Sequence, residues 1–275
     1  MAEMEFRQAI PQVEILADRP SLVARAFELT IAAIQAAIAE RGRCVVALSG
    51  GTTPEPLYQA LAKADLPWQN LWILWGDERY VPPDHPDSNQ RSARLAWLNH
   101  VPIPPGQILA MPTASGDPAQ DAARYEATLA DRLGYDLGSD DFPGAPLGPQ
   151  PGAQIDLILL GMGDDGHTAS LFPGTSALGV RDRLVTVGEK DGQPRLTLTY
   201  PLLNRGRLVI FLVAGASKRP ALAQVFAACD DPMLSVALDL NYPARAIRPQ
   251  GELIWLLDRA AGDCLDPHGE RDRLS

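Results

Sequence analysis

Short hydrophobic runs without polar alternation recur along the chain, and helical or polar stretches separate them. Such runs are typical of strands that are buried on both faces, as in a parallel sheet covered by helices. The runs are Cys44–Leu48, Leu71–Trp75, 155–160, 207–213 and 253–257. The pattern therefore predicts an α/β fold built on a parallel sheet.

The segments between the runs predict helices. Apolar residues recur at helical spacing over 21–41, and Gly42 follows as a typical helix terminator. A second helix is expected from Pro54 to about Ala62, because the missing N–H of proline costs nothing in a first turn. A third is expected over 220–228. This alternation brings the C-terminal ends of the strands to one edge of the sheet.

Two stretches stand apart from this alternation. Residues 134–154 are crowded with Gly, Pro and Asp and predict a surface loop. Residues 258–275 are charged, contain few apolar side chains and are expected to fray. Neither stretch requires a domain boundary. We therefore predict a single α/β domain over 1–257, followed by a charged C-terminal tail over 258–275.

The composition excludes several classes of protein. Hydrophobic residues make up 46% of the 275 residues, enough for a sizeable core, and the formal net charge of -10 argues against general nucleic-acid binding. Three widely spaced cysteines fit neither a disulfide framework nor a zinc site. The first residues lack a signal-peptide pattern, and no apolar run approaches the roughly 18 residues that span a bilayer. We expect a soluble, cytoplasmic protein with no membrane or nucleic-acid partner.

Glycine-rich polar clusters follow the strands, at the edge where open α/β sheets bind ligands. Ser49-Gly50-Gly51-Thr52 predicts an anion cradle, because glycines let the backbone approach a ligand and the following helix offers free N–H groups. An ordinary strand-to-helix turn is the alternative interpretation. Lys218 follows another strand and favours a phosphate site, since it adds a cation at the same edge.

The segment 161–166, Gly-Met-Gly-Asp-Asp-Gly, matches the dinucleotide pattern G-x-G-x-x-G. We reject a dinucleotide site, because two adjacent carboxylates would repel a pyrophosphate and Pro173 interrupts the helix that should follow. The segment instead presents His167, and histidine is suited to general-base chemistry because it titrates near physiological pH. Asp165 and Asp77 are alternative partners for orienting its ring.

A cluster of both charges, Asp77-Glu78-Arg79, follows the strand Leu71–Trp75. Arg79 is suited to binding a phosphate or carboxylate, and a structural ion pair with an acidic neighbour is the alternative. The segment 84–87, Asp-His-Pro-Asp, resembles a scattered metal site but lacks a second histidine at the usual spacing. We therefore predict no metal site.

Four motifs, in chain order, resemble those of the 6-phosphogluconolactonases: SGGTTP, WGDERYVPPDHPDSN, LLGMGDDGHTASLFPG and VAGASK. The resemblance extends from about residue 14 to residue 258. It implies a Rossmann-like open parallel sheet with helices on both faces, as in glucosamine-6-phosphate deaminases and ribose-5-phosphate isomerases. It also implies hydrolysis of 6-phospho-D-glucono-1,5-lactone to 6-phosphogluconate, the second step of the oxidative pentose phosphate pathway, with no metal or organic cofactor.

The resemblance further implies roles for individual residues. The catalytic positions fall on His167, Asp77 and Arg79. The substrate and phosphate positions are Ser49, Gly50, Gly51, Thr52, Arg79, Asn89, Gly163, Asp165 and Lys218. We expect His167 to activate water as a general base, while backbone N–H groups or Arg79 face the developing negative charge. The expected partner is the small sugar-phosphate lactone, and we infer no obligate protein partner.

Two other functions stay open at this stage. Glucosamine-6-phosphate deaminases and isomerases share GDGH but continue with Asn-Glu-Pro, whereas residues 168–173 of this chain contain no carboxylate. A non-catalytic sugar-phosphate sensor would keep the pocket, and the intact His167, Asp77 and Arg79 argue against it.

The stretch 134–154 departs from the family pattern in length. Whether Arg245 contacts the substrate is also open.

Overall fold

The fold is a computed structural model that describes residues 10–134, 154–228 and 232–265. Its strands are β1 (Gln12–Leu16), β2 (Cys44–Leu48), β3 (Leu71–Trp75), β4 (Asp77–Arg79), β5 (Leu157–Leu160), β6 (Val185–Lys190), β7 (Gln193–Leu198), β8 (Leu208–Val213) and β9 (Glu252–Asp258). Six of them form one sheet of order β1-β9-β8-β5-β2-β3, and every neighbouring pair is parallel. The α/β fold predicted from the hydrophobic runs is confirmed.

The hydrophobic runs form the central strands because both faces of the sheet are covered. All residues of β2 and β5 are buried, which explains why their sequences lack polar alternation. The edge strand β1 was not predicted, since its first two residues are exposed, none of its residues is fully buried, and it pairs only with β9. Its signal is therefore weaker than that of a central strand.

The α-helices in the described part of the chain are α1 (Arg19–Arg41), α2 (Glu55–Leu61), α3 (Asn89–Ala96), α4 (Pro118–Leu133), α5 (Tyr200–Leu203), α6 (Arg219–Val225), α7 (Pro232–Asn241) and α8 (Arg259–Gly262). Local sequence sets the ends of α1. Asp18 accepts a hydrogen bond from the backbone N–H of Ser21, and Gly42 adopts the left-handed conformation at the C-terminal end. The helix predicted over 21–41 is confirmed, with a start two residues earlier.

By length and composition, α1 could also cross a membrane. In the fold, however, its apolar stripe packs against the sheet, where Leu22, Ala26 and Ile34 are fully buried. The helix thus supplies part of the hydrophobic core.

A small antiparallel sheet of order β4-β7-β6 lies beside the parallel one and was not predicted. Strands β6 and β7 are joined at Asp191-Gly192, and both of these residues have positive φ. This is the geometry of a two-residue hairpin turn, for which Asp-Gly is a favourable sequence. The signal was present in the sequence, but the strands around it are short and half polar. This hairpin brings β7 alongside β4.

The first residues of the C-terminal segment do not fray as expected. Asp258 accepts hydrogen bonds from the backbone N–H groups of Ala261 and Gly215, and it thereby holds α8 against the end of β8. Ala261 is fully buried. The expectation is therefore wrong for residues 258–262, because the capping carboxylate and small apolar residues allow a packed turn. Residues 266–275 lie outside the described residues, as do residues 135–153 of the predicted loop.

Candidate active site

A cavity of about 280 Å³ opens at the C-terminal edge of the parallel sheet. Among the residues assigned to the site from the sequence, its lining contains residues 49–52, Asp77, Arg79, Asn89, Gly163, His167 and Lys218. The loops after β2, β5 and β8 supply one wall, and β4 and β7 of the small sheet supply another. The structure thus brings together segments that lie far apart in the chain.

The loop after β2 is shaped by its glycines. A Cβ atom on Gly50 would lie 1.9 Å from Oδ1 of Asn89, so only glycine leaves room for this side chain. The backbone N–H of Ser49 donates to the hydroxyl of Tyr58, which in turn donates to the Ser49 carbonyl. The Ser49 amide is therefore already bound within the protein, and the amides that follow it are better candidates for an anion.

His167 is held by the turn that precedes it. Its Nδ1 lies 2.5 Å from Oδ1 of Asp165, and the same oxygen accepts the His167 backbone N–H at 3.0 Å. Gly163 donates its N–H to the His167 carbonyl, and a Cβ on this glycine would lie 2.0 Å from Nδ1. The turn therefore needs glycine at 163 so that the imidazole can fold back onto Asp165.

The carboxylate of Asp165 is ionised in this arrangement. Partial burial raises the pKa of Asp165, but the hydrogen bonds from His167 outweigh burial and lower the pKa to about 2. An ionised Asp165 can only accept a hydrogen bond, so Nδ1 of His167 must carry the proton. This favours the tautomer in which Nε2 is free to accept a proton. Of the two alternatives left open by the sequence, the structure places Asp165, and not Asp77, against the histidine.

Asp77 has other partners. Its Oδ2 accepts a hydrogen bond of 2.6 Å from the hydroxyl of Ser170, and its backbone carbonyl accepts one of 2.9 Å from the Asn89 side chain. Ser170 is fully buried and follows Ala169, a non-glycine residue with φ of 47° that lines the cavity. Asp77 thus ties the small sheet to the segment after His167, and this strained backbone lies at the cavity wall.

Glu78 is a structural residue of the site that the sequence did not single out. Its buried carboxylate accepts the backbone N–H groups of Arg79, Asn89 and Gln90 and the hydroxyl of Ser88. Burial raises the pKa of Glu78, while these hydrogen bonds act in the opposite direction. The carboxylate fixes the start of α3 and thereby the position of Asn89.

Arg195 on β7 is a second residue that sequence reasoning missed. It pairs with Arg79 in the β4–β7 register, and both arginines line the cavity. Burial, and after it the positive charge of Arg79, lower the pKa of Arg195. A basic residue after an Asp-Gly turn gives a weak signal, because only the strand pairing shows which way the side chain points.

Lys218 follows β8, and the glycine loop follows β2; these two strands lie on opposite sides of β5, the strand that leads to His167. Its Nζ is 2.6 Å from Oδ1 of Asp164, and the Ser217 hydroxyl donates to the same oxygen. The hydrogen bond from Lys218 lowers the pKa of Asp164. Asp164 received no role from the sequence, yet it is the acidic partner that holds the lysine at the cavity.

Arg245 is placed away from the cavity lining by its own hydrogen bonds. Its guanidinium donates to the backbone carbonyls of Val225 and Ala227 at the end of α6 and pairs with Asp239 at 3.1 Å. In this structure the arginine thus lies outside the cavity lining and caps the C-terminal end of a helix.

No group of three or more His, Cys, Asp or Glu side chains within the described ranges is arranged to hold a metal ion. The acidic side chains at the cavity are instead bonded to His167, Ser170 and Lys218. The donors that remain free for a ligand are predominantly cationic or backbone groups. The cavity is therefore suited to an anionic molecule.

Comparison with known proteins gives a consistent picture. A model of the family described as glucosamine-6-phosphate isomerases/6-phosphogluconolactonase matches residues 17–255. The 6-phosphogluconolactonase of Synechocystis sp. is 57% identical over 94% of this chain and 99% of its own length, and that of Nostoc sp. is 54% identical over 91% and 96%. The solved structure of 6-phosphogluconolactonase from Trypanosoma cruzi superimposes with a TM-score of 0.78 at 27% identity, covering 94% of this chain and 98% of its own.

Proposed function

This chain belongs to the glucosamine-6-phosphate isomerase and 6-phosphogluconolactonase family, and we propose that it hydrolyses 6-phospho-D-glucono-1,5-lactone to 6-phosphogluconate. Its relatives from Synechocystis and Nostoc are 6-phosphogluconolactonases and match almost their whole length. The observation that carries the proposal is an imidazole held by an ionised carboxylate at the wall of a cavity with cationic side chains. Such a site can bind a phosphorylated sugar and deprotonate water beside it.

The phosphate is expected to bind between the glycine loop and Lys218. Gly50, Gly51 and Thr52 line the same cavity as the lysine and offer their backbone amides there. A phosphate entering this space would replace Asp164 as the partner of Lys218, and the mobile lysine stem allows this exchange. The phosphate is remote from the reacting carbonyl carbon and takes no part in the reaction. Its binding anchors the substrate and orients the lactone ring.

The proposed reaction uses His167 as a general base. Nε2 accepts a proton from a water molecule while the water oxygen forms a bond to the lactone carbonyl carbon. The C1–ring oxygen bond then breaks, and His167 returns the proton to the ring oxygen, which becomes a hydroxyl. The new carboxylic acid loses its own proton to solvent. Asp165 holds the tautomer and stabilises the imidazolium that forms transiently.

No carboxylate follows His167 at the positions where the deaminases carry Asn-Glu-Pro, since residues 168–173 are Thr-Ala-Ser-Leu-Phe-Pro. This favours hydrolysis over deamination or isomerisation, which need a second proton-transfer group. The proposed reaction involves a small-molecule substrate and uses no organic cofactor. We expect the protein to carry it out in the cytoplasm.

The decisive experiment measures lactone hydrolysis above the spontaneous rate, ammonia release from glucosamine 6-phosphate, and binding of 6-phosphogluconate. We expect hydrolysis and no ammonia. Replacing His167→Gln should lower kcat by roughly 100-fold or more, the usual contribution of a general base, while 6-phosphogluconate still binds. Binding without turnover by the native protein would indicate a sensor, and a fully active His167→Gln variant would exclude the proposed base.

A further inference from the structure

Arg79 and Arg195 lie directly opposite each other on the paired strands β4 and β7. Both side chains reach the cavity, and the Nε atom of each is buried without a hydrogen-bond partner among the described residues. One Arg79 terminal nitrogen donates to the Asp87 carbonyl, a neutral acceptor. We call these two residues the arginine pair.

Two adjacent guanidinium groups in a partly dehydrated site repel each other and lose solvation. Burial and the neighbouring Arg79 lower the pKa of Arg195, while the carboxylates of Asp77, Asp191 and Asp87 act in the opposite direction. An anion placed between the two forks would offset both effects and satisfy the free Nε donors. The arrangement is therefore suited to binding an anion.

The position of the arginine pair assigns it to the reacting end of the substrate. The Arg195 guanidinium lies 5.4 Å from the ring centre of Phe172, and the same ring packs against His167 with centroids 4.3 Å apart. The phosphate end already has donors in the glycine loop and in Lys218. Lys218 lies in the turn that follows β8 of the parallel sheet, whereas the arginine pair lies on two strands of the small sheet.

We propose that Arg195, together with Arg79, binds the C1 oxygen of the lactone and the carboxylate that replaces it in the product. This proposal rests on the proposed function and names a substrate-binding residue that the motifs do not contain. Water attack places a negative charge on the carbonyl oxygen, and breaking the ring bond converts that group into a carboxylate. A forked pair of guanidinium groups matches both species better than it matches the neutral lactone, so it stabilises the transition state.

The test compares two ligands that share a phosphate: 6-phosphogluconate, which has a carboxylate, and glucitol 6-phosphate, which lacks one. By titration calorimetry, Arg195→Gln should weaken 6-phosphogluconate binding by about 10- to 100-fold, the effect of losing a hydrogen bond to a charged group. Binding of glucitol 6-phosphate should change by less than about twofold. The variant Lys218→Met is the matched control and should weaken both ligands alike.

Equal weakening of both ligands by Arg195→Gln, or unchanged binding of both, would overturn the proposal. Because the substitution removes a repulsion, the melting temperature should not fall. If the melting temperature of Arg195→Gln does fall, Arg195→Lys serves as the second variant, because it keeps the positive charge but lacks the forked guanidinium group. Arg195→Lys must then show the same carboxylate-selective loss of binding while its stability equals that of the native protein. Turnover by the native protein is measured separately. A protein without lactonase activity that still shows the selective loss would contradict the proposed function and retain the carboxylate site.

Discussion

At the scale of single residues, the site depends on hydrogen bonds that determine which groups are free to react. Asp165 accepts a hydrogen bond from Nδ1 of His167, Tyr58 accepts one from the Ser49 amide, and Asp164 forms an ion pair with Lys218. The first bond leaves Nε2 of His167 as the nitrogen available for catalysis, and the second leaves the amides after Ser49 for an anion. The imidazole is directed to accept a proton through Nε2, and the lysine remains exchangeable.

Replacing Asp165→Ala should lower kcat by roughly 10- to 100-fold, part of the range that general-base catalysis contributes, because the imidazole loses the group that fixes its tautomer and orientation. KM should change little, since Asp165 is bonded to the histidine. Steady-state kinetics on the phosphorylated lactone check this. The control is Asp182→Ala, which removes an aspartate that pairs with its neighbour Arg183 at 3.2 Å and lies outside the cavity lining, and it should leave kcat unchanged. A normal kcat in the Asp165 variant would remove its positioning role.

At the scale of elements, the site depends on a small sheet whose strands are short. The hairpin turn Asp191-Gly192 sets the β6–β7 register, and β7 in turn pairs with β4. A change of one residue in this register would turn Arg195 to the opposite face. The hairpin thus determines whether Arg195 faces the cavity.

Replacing Gly192→Ala should destabilise the protein by about 1–2 kcal/mol, because a side chain at φ of 76° is strained. The matched control is Gly106→Ala, where no positive φ occurs and a Cβ would meet open space. Urea unfolding of both variants measures the difference. Equal stability of the two would show that the turn does not constrain the hairpin.

Particular elements show how far the sequence could predict this structure. The central strands and α1 were recognised, since their hydrophobic periodicity reflects burial on the sheet. The edge strand β1 and the small sheet were missed, because short, half-exposed strands have little hydrophobic signal. Of the site residues predicted from the motifs, all but Asp165 line one cavity, and Asp165 contacts it through His167. Arg195 and Glu78 were not predicted as site residues, since their roles depend on strand pairing and burial.

At the scale of the whole molecule, the cavity lies where the strand order reverses. The chain runs from β2 to β3 in one direction, and from β5 through β8 to β9 in the other. Ligands of open α/β sheets bind at such a switch point. The segment after β5 therefore lies between the glycine loop after β2 and Lys218 after β8.

The protein should lose stability as the pH falls from about 4 towards 2. The pKa of Asp165 drops from the ordinary 3.8 to about 2, through hydrogen bonds from His167 that outweigh burial, and Lys218 lowers the pKa of Asp164. Groups with a lowered pKa contribute stability above the unfolded value and lose it as they become protonated. Chemical unfolding at several pH values between 5 and 2 checks this. A smaller loss is expected for Asp165→Asn, and unchanged stability of the native protein down to pH 2 would contradict the assignment.

The sequence by itself determined the central strands of the parallel sheet, the glycine turns of the site and the identity of most reactive groups, because these depend on local burial patterns and on backbone conformations near each residue. Only the tertiary structure decided which groups are partners. Asp77 meets Ser170, Lys218 meets Asp164 and Arg195 lies opposite Arg79, over separations of 93, 54 and 116 positions in the chain. Such pairs depend on strand order and register, which arise when the whole chain packs.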